Sequence, residues 1–560
     1  MRQNQGVELV DTADLRKARG AFFTPEPICN FMTDWAVRSP SDAVMEPACG
    51  EAAFMESAVR RLGDLGAKPS EMCISGTDIH EPSARTARSL LKAQGVKANV
   101  SVGDFLASKP AAKFDAVIGN PPYIRFHDFS GPARATAMEA ALTQGVRLSK
   151  LASSWASFVV HSSAYLKPKG RLAFVLPAEL LTANYASHVR RYLLERFGVV
   201  SLILFEEQVF PGVMTEAVLL LCEGSGGTDH FTVRQLRSPS ELENPATSLK
   251  YSPGLVSDKW TGALLSGLAG PGLLHSLVDG PSFSSLGKWG RVSLGSVTGN
   301  NAYFAMSPQQ AKARGIPAKE LLRISPPGSH HLRSIRLTAS GVSALGRAGS
   351  QTLLFRPSSK PSKAAAAYIR DGERQGVPDA YKCRVRTPWW QVPVVPVADL
   401  LITCMNADTP RLAANEAKVR HLNSVHGLYL DEEHQDLSVP LAVASLNSAT
   451  LLGAELVGRA YGGGILKLEP SEALELPLPS PEVVRSAAGE LSMLTPTLRR
   501  LIANGLLLDA VGLVDSVLLA KWCGLSSDEI LSLREARSHL AERRVTRGTK
   551  ARLVDKGDAT

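Results

Sequence analysis

The residues best suited to chemistry are Asn120-Pro121-Pro122-Tyr123, which close the run Phe114-Asp115-Ala116-Val117-Ile118-Gly119. An apolar run ended by a polar side chain, two prolines and an aromatic reads as a buried strand delivering a rigid loop at its carboxyl end. In open α/β sheets ligands bind at that edge. Proline fixes its own φ and restricts the residue before it, so Asn120 and Pro121 are expected in extended geometry with their oxygens outward. The set suits a planar substrate with an exocyclic amine. The side-chain carbonyl of Asn120 and the backbone carbonyl of Pro121 can each accept one N–H while Tyr123 stacks on the ring. Two acceptors draw the amine from planar toward tetrahedral, so preorganised dipoles activate a weak nucleophile without a strong base. An ordinary strand-to-loop turn is the alternative, and the rest of the chain has to decide between them.

The elements around this loop repeat a strand-helix rhythm. Expected strands are Ala43–Glu46, Cys73–Asp78, Asn99–Val102, the strand ending at Asn120, Arg171–Leu176, Val199–Phe205 and Ala217–Cys222. Strands alternating with helices imply a mostly parallel, doubly wound sheet. Ahead of it, Gly20-Ala21-Phe22-Phe23-Thr24-Pro25 runs into an apolar-periodic segment, with Thr24 expected to cap the helix and Pro25 to occupy its first turn. Carboxylates fall at the ends of the first three strands, as Glu46, Asp78 and Asp104. These ends converge on one crevice, and the acid ending the second strand is where a ribose hydroxyl is usually held. Gly50, in Pro47-Ala48-Cys49-Gly50, lets backbone approach a ligand closely. No dinucleotide or triphosphate fingerprint is present, and three acids without a basic clamp suit a cationic nucleoside. Each acid alone reads as a cap or a surface charge; the set is what carries weight.

Composition sets the outer bounds. At 560 residues, 44% hydrophobic and 21% charged, the chain is expected to be soluble and to hold two or three domains. It shows neither a long apolar run nor a signal peptide, which places the expectation in the cytoplasm. Seven scattered cysteines without a C-x-x-C pair read as reduced thiols, and no metal site is expected. The net charge of +9 is concentrated: residues 281–400 carry 17 Lys+Arg against 5 Asp+Glu, a local excess of +12. A basic segment attached to a near-neutral one is the footprint of nucleic-acid binding.

In order, Gly-Ala-Phe-Phe-Thr-Pro, Glu-Pro-Ala-Cys-Gly, Thr-Asp-Ile, Gly-Asp-Phe and Gly-Asn-Pro-Pro-Tyr closely resemble the motifs of the gamma-class adenine-N6 DNA methyltransferases of bacterial restriction-modification systems. The resemblance runs from about Ala18 to about Arg547. It implies S-adenosyl-L-methionine as cofactor. Phe23, Thr24, Glu46, Pro47, Ala48, Gly50, Asp78, Ile79, Asp104, Phe105 and Asn120 would line its site, with Thr24 and Glu46 along the methionine end, Asp78 on the ribose, and Asp104 and Phe105 at the adenine. Asn120, Pro121, Pro122 and Tyr123 would hold a flipped target base, and Phe210, in Val209-Phe210-Pro211, would close on it from the other side. One departure stands out: the second glycine of the family's Glu-Pro-Ala-x-Gly-x-Gly motif is Ala52 here.

The resemblance also divides the chain into a methyltransferase domain at 1–225, a mixed α+β target-recognition domain at 226–481 and a helical segment at 482–560. DNA contacts are expected from Arg125, Asn300, Asn301, Arg384, Arg386, Trp389 and Trp390, since basic side chains beside aromatics can contact phosphate and stack. The expected partner is double-stranded DNA. A separately encoded cognate restriction endonuclease is a further hypothesis, and a monomer is expected, with the helical tail as the surface open to a dimer. Rival readings are a protein-glutamine methyltransferase, which has no use for a long basic reader, a cytosine-N4 enzyme, which more often shows Ser before Pro-Pro-Tyr, and a catalytically silent recognition subunit, against which the intact loop and acids argue.

Overall fold

The computed structural model describes residues 24–111, 113–207, 209, 217–244, 248–253, 259–265, 267–461 and 463–557. They divide into two compact units, Met1–Pro253 with Asp258–Gly267, and Gly254–Ser257 with Leu268–Thr560.

The first unit is built on strands β1 (Val44–Glu46), β2 (Ile74–Asp78), β3 (Asn99–Val102), β4 (Phe114–Gly119), β5 (Leu166–Pro177), β6 (Val199–Phe205), β7 (Ala217–Glu223), β8 (Phe231–Leu236) and β9 (Leu249–Tyr251). They form one sheet in the order β3-β2-β1-β4-β5-β7-β6-β8-β9. The first five are parallel neighbours; β7 is antiparallel to both β5 and β6, and β9 is antiparallel to β8. All seven expected strands form. Helices α1 (Glu26–Ala36), α2 (Ala53–Asp64), α3 (Glu81–Ala93), α4 (Gly131–Thr143), α5 (Ser154–Ser163) and α6 (Ser187–Arg196) cover the sheet. Burial on both faces explains the uninterrupted apolar runs: Ala116, Val117 and Ile118 of β4 and Leu172 to Leu176 of β5 are all fully buried. Ile28, Met32 and Ala36 of α1 pack with Phe54, Met55 and Leu62 of α2 in one core with Ile74 of β2. Strand order reverses between β1 and β4, which opens a crevice at their carboxyl ends.

The expected boundary at 225 falls too early. β8 pairs with β6 in parallel and carries β9 with it, so the sheet continues to Tyr251. The second unit holds a four-stranded antiparallel sheet ordered Gly290–Leu294, Val425–Leu430, Leu400–Thr403 and Leu412–Ala414, with smaller sheets beside it. The boundary expected at 481 does not separate a domain. Val484, Leu491 and Leu498 of the helix Pro481–Ala503 and Val511 of Leu507–Asp515 share a core with Leu400, Ile402 and Leu428. The last helix, Ser527–Gly557, is tied into this unit by the buried Arg544–Glu455 pair at 2.7 Å and by Arg534 donating to Asp515 at 2.6 Å. Among the described residues no single helix is long and apolar enough to cross a membrane.

Candidate active site

The crevice is assembled from strand ends. β1 delivers Glu46, which is 4% exposed; burial, with the Asp78 carboxylate nearby, pushes its carboxyl well above the ordinary range. Its Oε2 is buried and has no hydrogen-bond partner among the described residues. Gly119, at φ +152°, lets β4 pass alongside: a Cβ there would stand 3.4 Å from Glu46 Cγ. A buried acid short of a partner is costly unless a cation or donor completes it.

β2 delivers Asp78, whose two oxygens accept the backbone N–H groups of Gly50 at 2.8 Å and His80 at 2.7 Å. Gly50 adopts φ +47°, and the space where its side chain would stand is open. The Gly103 amide donates to the Asp78 carbonyl at 2.9 Å, which brings the β3 end and Asp104 to the same edge. Asp104 accepts the Leu106 amide at 2.9 Å and caps the short turn that follows. Ile79 is 70% exposed, an uncovered apolar side chain directly after Asp78. Ala52 stands at φ +77°, fully buried at the start of α2. The alanine has therefore kept the left-handed backbone a glycine would supply, at about 1–2 kcal/mol.

Two details differ from expectation. Thr24 does not cap α1: the N-cap residue is Pro25, whose carbonyl accepts the Ile28 and Cys29 amides, because proline supplies the helical entry without a side-chain bond. The Thr24 hydroxyl instead accepts from Asn120 Nδ2 at 3.1 Å. The Phe105 ring cannot face a ligand, since it is 2% exposed and packs among Phe158, His161 and Tyr165 at centroid distances of 5.8, 5.1 and 5.0 Å. Only its backbone can serve the crevice.

The Asn120-Pro121-Pro122-Tyr123 loop leaves β4 at this edge. The amide nitrogen of Asn120 donates to Thr24, and its side-chain oxygen is the acceptor end. Tyr123 donates its hydroxyl to the Val175 carbonyl of β5 at 2.9 Å, and burial pushes the phenol well above its ordinary range. The tyrosine is thus a neutral, anchored ring. Sequence reasoning missed Ser154, at the first turn of α5, which bonds the loop on both sides of Tyr123. Nothing local signals it, because 30 residues separate it from Ile124. Arg125 is exposed just beyond the loop. Phe23 and Phe210 lie outside the described residues.

Several of the residues expected to meet DNA in the second unit make local contacts within it. Asn300 accepts the Tyr303 amide at 3.1 Å as a helix cap, and Asn301 accepts the Thr298 hydroxyl at 2.6 Å, so both side-chain oxygens are spent locally. Arg386 donates to the carbonyls of Thr298 and Lys382 and lies over the Phe304 ring; burial lowers its pKa. Trp389 packs against Tyr303 at 5.6 Å and Trp390 at 5.9 Å, in a core cluster with Phe304. Both rings remain partly exposed. Arg384 is exposed. Of the 17 basic residues in 281–400, 14 are exposed, so the charge excess is at the surface.

The crevice thus combines this reversal with a buried acid on β1, a backbone-held acid on β2 and the Asn-Pro-Pro-Tyr loop after β4. Residues 10–230 match the N-6 DNA methylase family, and residues 257–519 match the C-terminal domain of the type II methyltransferase M.Eco57I. These two matched domains, with relatives that are type II methyltransferases, identify the chain as a site-specific DNA adenine methyltransferase. Among its relatives, the type II methyltransferase M.AccI of Acinetobacter calcoaceticus is 24% identical over 82% of this chain and 84% of its own. M.XamI of Xanthomonas campestris pv. amaranthicola is 28% identical over 83% and 85%. The solved type IIG restriction endonuclease BpuSI aligns with 96% of this chain and 68% of its own at 13% identity, with a TM-score of 0.43.

Proposed function

We propose that the crevice binds S-adenosyl-L-methionine, and that the loop beside it accepts an adenine extruded from duplex DNA for methylation at N6 within a restriction-modification system. The observation that carries this is the placement of the Asn120 amide, bonded to Thr24, at the carboxyl end of β4 beside the buried Glu46. The fit to the cofactor rests on three features: a buried carboxylate oxygen short of a partner for a cationic methionine end, open space above Gly50, and the uncovered Ile79 for an aromatic ring. When bound, the cofactor supplies an electrophilic methyl group. Asn120 Oδ1 and the Pro121 carbonyl accept hydrogen bonds from the two N6–H groups and draw the amine toward tetrahedral, and Tyr123 supports the ring. Exposed cations of the second unit neutralise phosphates, which makes binding salt-dependent. This reading places the work in the cytoplasm, on a monomer, with a cognate endonuclease encoded separately.

Labelled methyl transfer to DNA from a methylation-free host, followed by nucleoside analysis, tests the reading. N6-methyladenine is expected, with Asn120→Ala slower by about 10²–10³ at near-normal cofactor and DNA affinity. Label in N4-methylcytosine or in protein overturns it.

A further inference from the structure

Two consecutive prolines leave the Pro121-Pro122 segment without backbone N–H groups, so the loop cannot pin itself as ordinary turns do. Its tethers come from elsewhere. Ser154, 1% exposed at the start of α5, supplies them: its hydroxyl donates to the Pro122 carbonyl and accepts the Ile124 amide at 2.9 Å, while its own amide donates to the Ile124 carbonyl at 3.0 Å. One hydroxyl can do both because it carries one donor and two acceptor lone pairs. The three bonds straddle Tyr123, whose far end is held by Val175 on β5. They also engage the carbonyl of the second proline, leaving that of the first as the loop carbonyl not bonded by Ser154.

We infer that Ser154 is a positioning residue for methyl transfer, holding the Pro121 carbonyl and the Tyr123 ring in register with the Asn120 amide. The inference rests on the N6 reading above. It concerns kcat and not cofactor binding, because among the described residues the Ser154 side chain hydrogen-bonds the loop and not Glu46, Asp78 or Gly50. Ser153 provides an internal control: it is similarly buried at the same helix start, but accepts the Tyr185 hydroxyl at 3.1 Å and does not touch the loop.

The test uses the full chain and methylation-free DNA. Ser154→Ala is expected to lower kcat by about 10–100-fold with KM for S-adenosyl-L-methionine and the thermal midpoint near wild type, and Ser154→Thr, which keeps the hydroxyl, to recover most of the rate. Ser153→Ala should stay within about twofold of wild type, since it removes no loop contact. Hydrogen exchange followed by mass spectrometry gives an activity-independent readout: Ser154→Ala should speed exchange at Tyr123 and Ile124 without changing β5. Unchanged kcat in Ser154→Ala, or a loss that tracks equal losses of cofactor affinity and thermal midpoint, overturns the inference. Absence of methyl transfer by the wild-type chain itself overturns the N6 reading, and the positioning role with it, and is distinguished by the wild-type control.

Discussion

The two units differ in how their motif residues are used. In the crevice, the side chains singled out by type and spacing converge: Glu46, Asp78, Asp104 and Asn120 all lie at or just past the carboxyl ends of neighbouring parallel strands. In the second unit, residues of equally suggestive type hold up their own scaffold. Trp389 belongs to an aromatic cluster, Arg386 binds carbonyls, and Asn300 caps a helix. A parallel sheet fixes the positions of its strand ends, so residue order there translates into geometry. An irregular α+β unit has no such rule, and an Arg-Thr-Pro-Trp-Trp stretch can face either way.

The largest effect that could break this contrast comes from Trp389. Its truncation to alanine should cost up to about 3 kcal/mol of stability in denaturant unfolding while leaving the DNA affinity of the folded fraction within a few-fold. The double charge reversal Lys382→Glu/Arg384→Glu should do the reverse, preserving stability but weakening DNA binding and lowering its salt slope by about one per contacted phosphate. Loss of DNA affinity in Trp389→Ala at full stability would make that tryptophan a reader after all.

A smaller effect sharpens the crevice side. The Glu46 carboxyl titrates higher in the folded chain than its ordinary value of 4.5, so its contribution is favourable below that pH and is lost as pH rises through the folded value. Glu46→Gln should therefore raise the thermal midpoint of the unliganded chain at pH 7, by about 2–4 °C for each kcal/mol released, and give no gain at pH 4. The same change should remove most of the stabilisation by S-adenosyl-L-methionine. Equal midpoints at both pH values, with cofactor stabilisation intact, would detach Glu46 from the site.

The smallest concerns Ala52. Ala52→Gly relieves a left-handed alanine and should stabilise the first unit by about 1 kcal/mol, offset in part by glycine's extra freedom in the unfolded chain. A destabilised variant would mean the alanine methyl packs better than its backbone suffers.

Much of the first unit was legible in the residues because β-period apolar runs and terminal acids are local signals. Ala52 was visible as a departure, but that it would keep the glycine backbone was not. The Thr24–Asn120 bond spans 96 residues and the Ser154–Ile124 bond 30, and contacts of that kind leave no periodicity to read. Thr24 had a competing local role as a cap, which Pro25 made unnecessary. In the second unit the concentration of basic residues was legible as a charge excess, while the packing of Trp389 was not, since it depends on neighbours such as Tyr303 far away in sequence.

The most direct measurement is single-molecule sequencing of genomic DNA from a methylation-free bacterial host expressing either the chain or its Asn120→Ala variant. N6-methyladenine at one short motif in the first culture and at none in the second is the expected result. Adenine methylation that persists in the Asn120→Ala culture, or modified cytosine in its place, would contradict the assignment of the β4 loop as the centre of transfer.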